Sequence, residues 1–132
     1  MQNIPETHLD LISDEKKPLL FLATLMKDGS PQVTPVWFNT DGTHILINSA
    51  EGRLKDRNMR ARSAVAVVIA DPANPYRYLQ IRGTIVEITH EGAEQHIDTL
   101  ALKYLGQEKY PYRREGEIRV IYKLLPEKVD AH

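Results

Sequence analysis

Apolar positions along this chain come in short continuous or alternating runs broken by turn residues, which is the pattern of strands rather than of long helices. Residues 7–15 (THLDLISDE) differ: a threonine cap followed by Leu9 and Ile12 on one side predicts a short helix. Pro18 then opens LLFLATLM, apolar and too short for an independent helix, which predicts a strand. Lys27-Asp28-Gly29-Ser30 predicts a hairpin turn, because the Asp-Gly pair supplies the positive φ such turns need. Residues 31–39 (PQVTPVWFN) predict the second strand, residues 40–43 another Asp-Gly turn, and residues 44–49 (HILINS) the third strand. Pro31 and Pro35 cannot donate to a ladder, so the second strand is expected at a sheet edge or bulged.

Residues 51–60 read as a short helix with Leu54, Asn58 and Met59 on a shared face, and residues 64–70 (AVAVVIA) as a buried strand. A proline-rich loop, DPANP, leads into a long alternating run over residues 76–90, with a slip near Gly83 that predicts a bulge. Residues 91–105 are amphipathic, with Ile97, Leu100, Ala101 and Tyr104 at helical spacing and Gly106 as the closing residue. Residues 117–125 (EIRVIYKLL) predict the last strand, ending before Pro126. The expected fold class is mainly β with peripheral helices: six antiparallel strands in a small barrel, within one domain over residues 1–132.

Composition narrows the chemistry. With 132 residues and 42% hydrophobic content, the chain can bury a core without staples. Cysteine is absent, which removes disulfides, thiolate metal sites and cysteine nucleophiles and suits a reducing cytoplasm. No apolar run approaches the roughly 20 residues of a spanning helix, and the polar, acidic first residues carry no signal core, so a cytoplasmic location is expected.

Charge is nearly balanced overall at −1, yet residues 51–62 hold Arg53, Lys55, Arg57, Arg60 and Arg62 against Glu51 and Asp56. Cations at the mouth of a short helix, after a small-residue turn, suit a phosphate: unpaired N–H groups favour an anion there, and arginine adds a two-pronged grip. A solvated helix face and a nucleic-acid contact are the other readings, the latter opposed by the absence of a basic stripe. Neither GxxxxGK[ST] nor GxGxxG occurs.

Four stretches, LLFLATLMKDGSPQVTPVWFN, INSAEGRLKDRNMR, DPANPYRYLQIRG and EIRVIYKLLPEKV, together resemble the pyridoxamine 5′-phosphate oxidase-like split-barrel flavoproteins. Within them the chain is most similar to the coenzyme F420-dependent (deazaflavin-dependent) branch, over roughly residues 6 to 128. The resemblance implies a homodimeric six-stranded split β-barrel that binds F420, or alternatively FMN, and transfers hydride to a small organic acceptor. A non-catalytic binder of a phosphorylated flavin-type cofactor or of haem is the reading from another class. It also implies cofactor-binding roles for Arg53 and Lys55 as the phosphate pair with Asn58 behind them. Asn48 and Ser49 would lie beside the phosphate and ribityl chain. The backbone of Gln32, Val33, Thr34, Pro35 and Val36 would lie along the ring, and Gln80 would face the pocket across the dimer. Arg57 or Arg60 would meet a longer deazaflavin tail.

Outside that set, Trp37, Tyr76 and Tyr78 are candidate substrate-pocket residues, each with core or strand packing as the competing role. No metal site is expected: His8, His44, His90, His96 and His132 form no HExxH or i, i+4 pair. The serines lack the GxSxG setting, and the carboxylates are scattered.

Overall fold

The computed structural model describes residue 1 and residues 3–132. A 3₁₀ turn (Glu6–His8) and the short helix α1 (Leu9–Ile12) precede strands β1 (Leu20–Leu25), β2 (Pro31–Val36), β3 (Phe38–Thr40) and β4 (Ile45–Ala50). Helix α2 (Leu54–Ala61) leads to the hairpin of β5 (Ala64–Asp71) and β6 (Asn74–Thr89), then α3 (Ala93–Leu105) and β7 (Arg119–Ala131). All strands join one antiparallel sheet in the order β2-β1-β5-β6-β7-β4-β3. The two edge strands, β2 and β3, are separated in sequence only by Trp37. A sheet whose opposite edges are one residue apart must curl back on itself, and that curl makes the barrel.

The fold is mainly β, with seven strands where the sequence predicts six. The difference lies at Trp37, which divides the predicted 31–39 strand. Residues before it pair with β1 and residues after it pair with β4, so one extended run serves the two sheet edges. β2 stands at an edge, as Pro31 and Pro35 require, and both Asp-Gly turns form: Ser30 donates to Asp28, and Thr43 and His44 donate to Asp41.

The second difference is the last strand, which runs through Pro126 to Ala131 instead of stopping. Pro126 lies opposite Gly83, where the β6–β7 register shifts. A bulge tolerates a residue without N–H, and here the partner strand comes so close that a Cβ on Gly83 would sit 2.2 Å from the Leu125 carbonyl oxygen. The bulge predicted near Gly83 is therefore a glycine–proline pairing across two strands.

Inward faces of five strands supply the core: Leu20 and Leu22, Ile45 and Ile47, Val67 and Ile69, Leu79 and Ile81, Tyr122 and Leu124. Burying each such aliphatic side chain contributes about 1.5–3 kcal/mol. Helix α3 lies on the outside, packed on β4 and β7, and ends at Gly106 in the left-handed conformation (φ 71°). No helix among the described residues is long and apolar enough to cross a membrane.

Candidate functional site

Where the chain leaves β2 and turns at Trp37 into β3, a pocket of about 340 Å³ opens between the barrel wall and α3. One wall is aromatic. Trp37 stacks on Tyr104 with ring centroids 5.3 Å apart and meets Tyr110 edge-on at 5.9 Å, and Tyr110 meets Tyr112 at 5.7 Å. The lining also carries the cations Arg53, Lys55 and Arg119, with Asn48 beside them, and the Arg119 guanidinium lies 5.2 Å from the centroid of the Tyr110 ring. The aromatic loop is held by Arg113, which pairs with Glu94 and Asp98 of α3, while the Asp98 carboxylate accepts the Tyr110 N–H.

Arg53 and Lys55 are placed by the turn into α2. Gly52 takes φ 91°, a left-handed conformation that favours glycine, and its N–H donates to the Asp56 carboxylate at 2.9 Å. Asp56 is buried and accepts further bonds from Arg60 and from the Tyr122 hydroxyl of β7. Burial pushes this carboxyl up, but the bonds from Tyr122, Gly52 and Arg60 outweigh it and hold Asp56 below the ordinary carboxylate range. Burial, with Asp56 beside it, raises Tyr122. The helix mouth is thus tied to the barrel, and Arg53 and Lys55 face the pocket at a fixed place.

Lys55 is half-buried, and among the described residues no carboxylate lies within ion-pair distance of it. Burial first, and then the neighbouring charges of Arg53 and Arg119, lower its ammonium pKa. Arg119 projects from β7 into the pocket wall with a side chain only 4% exposed. Its Nε donates to Asn48 Oδ1 at 2.9 Å and its Nη1 to Glu117 at 2.8 Å, and Arg53 reaches the same carboxylate at 3.3 Å. Arginine only donates, so it fixes the orientation of the Asn48 amide. Asn48 Nδ2 then donates to the Ala93 carbonyl and to His96 Nδ1. His96 must accept at Nδ1, which puts its proton on Nε2, facing Asn39 Oδ1 at 2.8 Å. Burial, reinforced by Arg119, depresses His96 to about 4.

Of the residues expected at a site, the pocket brings together Pro35, Val36, Trp37, Asn48, Arg53 and Lys55. The others lie elsewhere in the barrel. Gln32 accepts a bond from Thr24, and Asn58 is buried and donates to Thr24 and Met26. Thr34 Oγ1 and Ser49 Oγ are buried and, among the described residues, meet no hydrogen-bond partner, Ser49 on the β4 face that turns into the barrel. Val33 and Gln80 stand on outer sheet faces, Tyr76 is 88% exposed, and Tyr78 stacks on His132. Arg60 is engaged by Asp56 and Glu51, while Arg57 is exposed.

Sequence reasoning missed Arg119, Tyr110 and Tyr112. A lone arginine in an apolar strand was its signal: at the partner position to Ala50, it shares the outward face of β4 and β7 with Asn48. The two tyrosines sit in a loop with no periodicity to place them. Among the described residues, no cluster of three or more histidine or acidic side chains could hold a metal ion.

A family model described as pyridoxamine 5′-phosphate oxidase matches residues 4–132. Among solved structures, an F420 reductase is 32% identical, with 96% of this chain and 98% of that chain covered and a TM-score of 0.83. A conserved hypothetical protein of Mycobacterium tuberculosis is 19% identical over 97% of this chain and 84% of its own, with a TM-score of 0.74. HutZ of Vibrio cholerae, described as a heme storage protein, is 14% identical over 96% and 93%, with a TM-score of 0.67. The last two likenesses speak for the fold. No curated protein matches the chain.

Proposed function

The chain belongs to the pyridoxamine 5′-phosphate oxidase family, and from that premise we propose that it is an oxidoreductase that uses coenzyme F420 for hydride transfer to a small organic acceptor. FMN is the alternative cofactor. The carrying observation is the pairing of an aromatic wall with three converging cations in one pocket.

That pairing fits a phosphorylated ring compound. A desolvated lysine without a carboxylate partner is unfavourable unless an anion meets it. Arg53 and Lys55 would hold the phosphate, and Asn48, fixed by Arg119, would present its polar edge beside it. Trp37 and the Pro35–Val36 backbone at the open edge of β2 would border the ring. When bound, the deazaflavin supplies two-electron hydride transfer; this chain's part is binding, orientation and exclusion of water. Gln32, Val33, Thr34, Ser49, Asn58 and Gln80 complete the proposed cofactor-binding set, Tyr76 and Tyr78 the proposed substrate side.

The likeness to a heme storage protein makes haem a competitor. Among the described residues, no histidine lines this pocket, and His96, which meets the lining residue Asn48, has both ring nitrogens occupied by Asn48 and Asn39. Titration of the purified chain with F420, FMN and hemin, followed by fluorescence and absorbance, tests the proposal. F420 is expected to bind tightest and to be consumed with an enone or quinone acceptor. Binding of hemin alone would overturn the reading.

The proposal includes a second copy of the chain. The outer face of β2, β1 and β5 carries Val33 (63% exposed), Phe21 (44%) and Val68, and on the same sheet a cleft of about 480 Å³ is lined by Ala23, Pro31 and Ala66 together with Arg82, Glu127 and Lys128. Such a face suits a symmetric dimer, which would bring Gln80 toward a neighbouring pocket. Light scattering is expected to give twice the 15.1 kDa chain mass; a monomer at working concentration would remove this part of the proposal.

A further inference from the structure

Two of the three cations in the pocket share one carboxylate. Glu117 lies between Arg119 and Arg53, accepting from the first through Oε1 at 2.8 Å and from the second through Oε2 at 3.3 Å. It sits in the 106–118 loop segment at the foot of β7 and is largely buried, with a side chain 11% exposed. Its two oxygens are spread over two guanidinium groups as the oxygens of a phosphate would be. Arg119 has spare capacity: among the described residues, its Nη2 meets no acceptor. A buried guanidinium with a free N–H pair, lining a pocket beside an unpaired lysine, is a built anion site and not a solvated face.

We infer that Glu117, held by Arg119 and Arg53, is an internal stand-in for the ligand's phosphate, which must be displaced from Arg53 before the phosphate seats. This deepens the cofactor reading above and rests on it for the nature of the ligand. Glu117 keeps the arginines apart and neutralised when no anion is bound, and it competes with every anion that enters. A single carboxylate, with one charge over two oxygens, only equals Glu117 and does not displace it; a terminal phosphate, with three oxygens and close to two charges, does. Glu117 therefore selects for phosphorylated ligands over carboxylates. Lys55 stays available throughout, since it has no carboxylate to give up, and makes first contact.

The test is calorimetric titration of inorganic pyrophosphate, and of citrate as a carboxylate control, into the full chain and its variants. Glu117→Gln removes the competing charge while keeping the side-chain shape. It is expected to tighten pyrophosphate binding about three- to tenfold and to narrow the preference over citrate. Arg119→Gln is expected to weaken pyrophosphate about tenfold, with Arg119→Lys recovering part of the loss. Thermal melts of each variant separate binding effects from unfolding. Equal or weaker binding by a folded Glu117→Gln chain, or no binding by any form, would overturn the inference, as would an unchanged affinity in Arg119→Gln. The two readings fail separately. A chain that takes pyrophosphate in the stated order but neither F420 nor FMN loses the cofactor reading alone. If F420 binds the wild type and the Glu117→Gln variant with the same affinity, the stand-in role alone is lost.

Discussion

Replacing Arg53 by glutamine and Lys55 by methionine together is expected to weaken F420 and FMN binding about a hundredfold or more, since each charge-assisted bond to phosphate is worth roughly 1.5–3 kcal/mol. The same substitutions should leave the fold as stable as before or more so. Lys55 is held charged in a half-buried place beside Arg53 and Arg119, and both burial and those neighbours lower its pKa, so its charge opposes folding. Arg53 contributes a half-exposed ion pair to Glu117, worth little, and Glu117 keeps Arg119 when Arg53 is gone. A fluorescence titration beside a thermal melt measures both effects. Lost affinity with a raised midpoint marks residues retained for ligand binding at the expense of stability. Unchanged affinity would remove the phosphate from this helix mouth, and a collapsed midpoint would make the pair structural.

The barrel was largely legible because its cues are local. Asp-Gly turns, the period-two run of residues 76–89 and the closing Gly106 each act within a few residues, and each predicted element forms. What misled the reading was non-local. Nothing near Trp37 says that one extended run pairs with two different strands, since that follows from barrel closure. Pro126 reads as a stop only until Gly83 is placed opposite it. The site divides in the same way. Arg53, Lys55, Pro35, Val36, Trp37 and Asn48 fall within two short stretches and converge on the pocket. Arg119 arrives from β7, 71 positions along the chain from Asn48, and owes its place to strand register. Gln32 and Thr34, which the resemblance names for their backbone, have side chains in the barrel wall and not in the pocket.

Acid is expected to destabilise the protein through one buried residue before its carboxylates titrate. His96 has an ordinary value of 6.5 and is depressed to about 4 by burial and by Arg119. As pH falls through 6.5 the unfolded chain takes up a proton on this residue and the folded chain does not, so stability declines until about 4, where the folded form also protonates. The difference amounts to about 3 kcal/mol, from roughly 1.36 kcal/mol for each unit. Asp10 and Asp41, held at about 2 from 3.8, add their losses only at lower pH. Urea unfolding at about pH 7 and about pH 4.5 should therefore show most of that loss in the wild type and little in His96→Gln, where no titrating ring remains. Equal losses in both would clear His96 of the effect. The consequence reaches the pocket, because a protonated imidazole donates at both nitrogens. His96 Nδ1 would then face the Asn48 amide donor, and relieving that conflict turns the Asn48 amide hydrogens toward Arg119, which can only donate as well. The guanidinium would lose one of its two anchors, so cofactor affinity should hold through the window in which stability declines and fall only as pH nears about 4, where the folded chain protonates His96, and His96→Gln should remove that late fall.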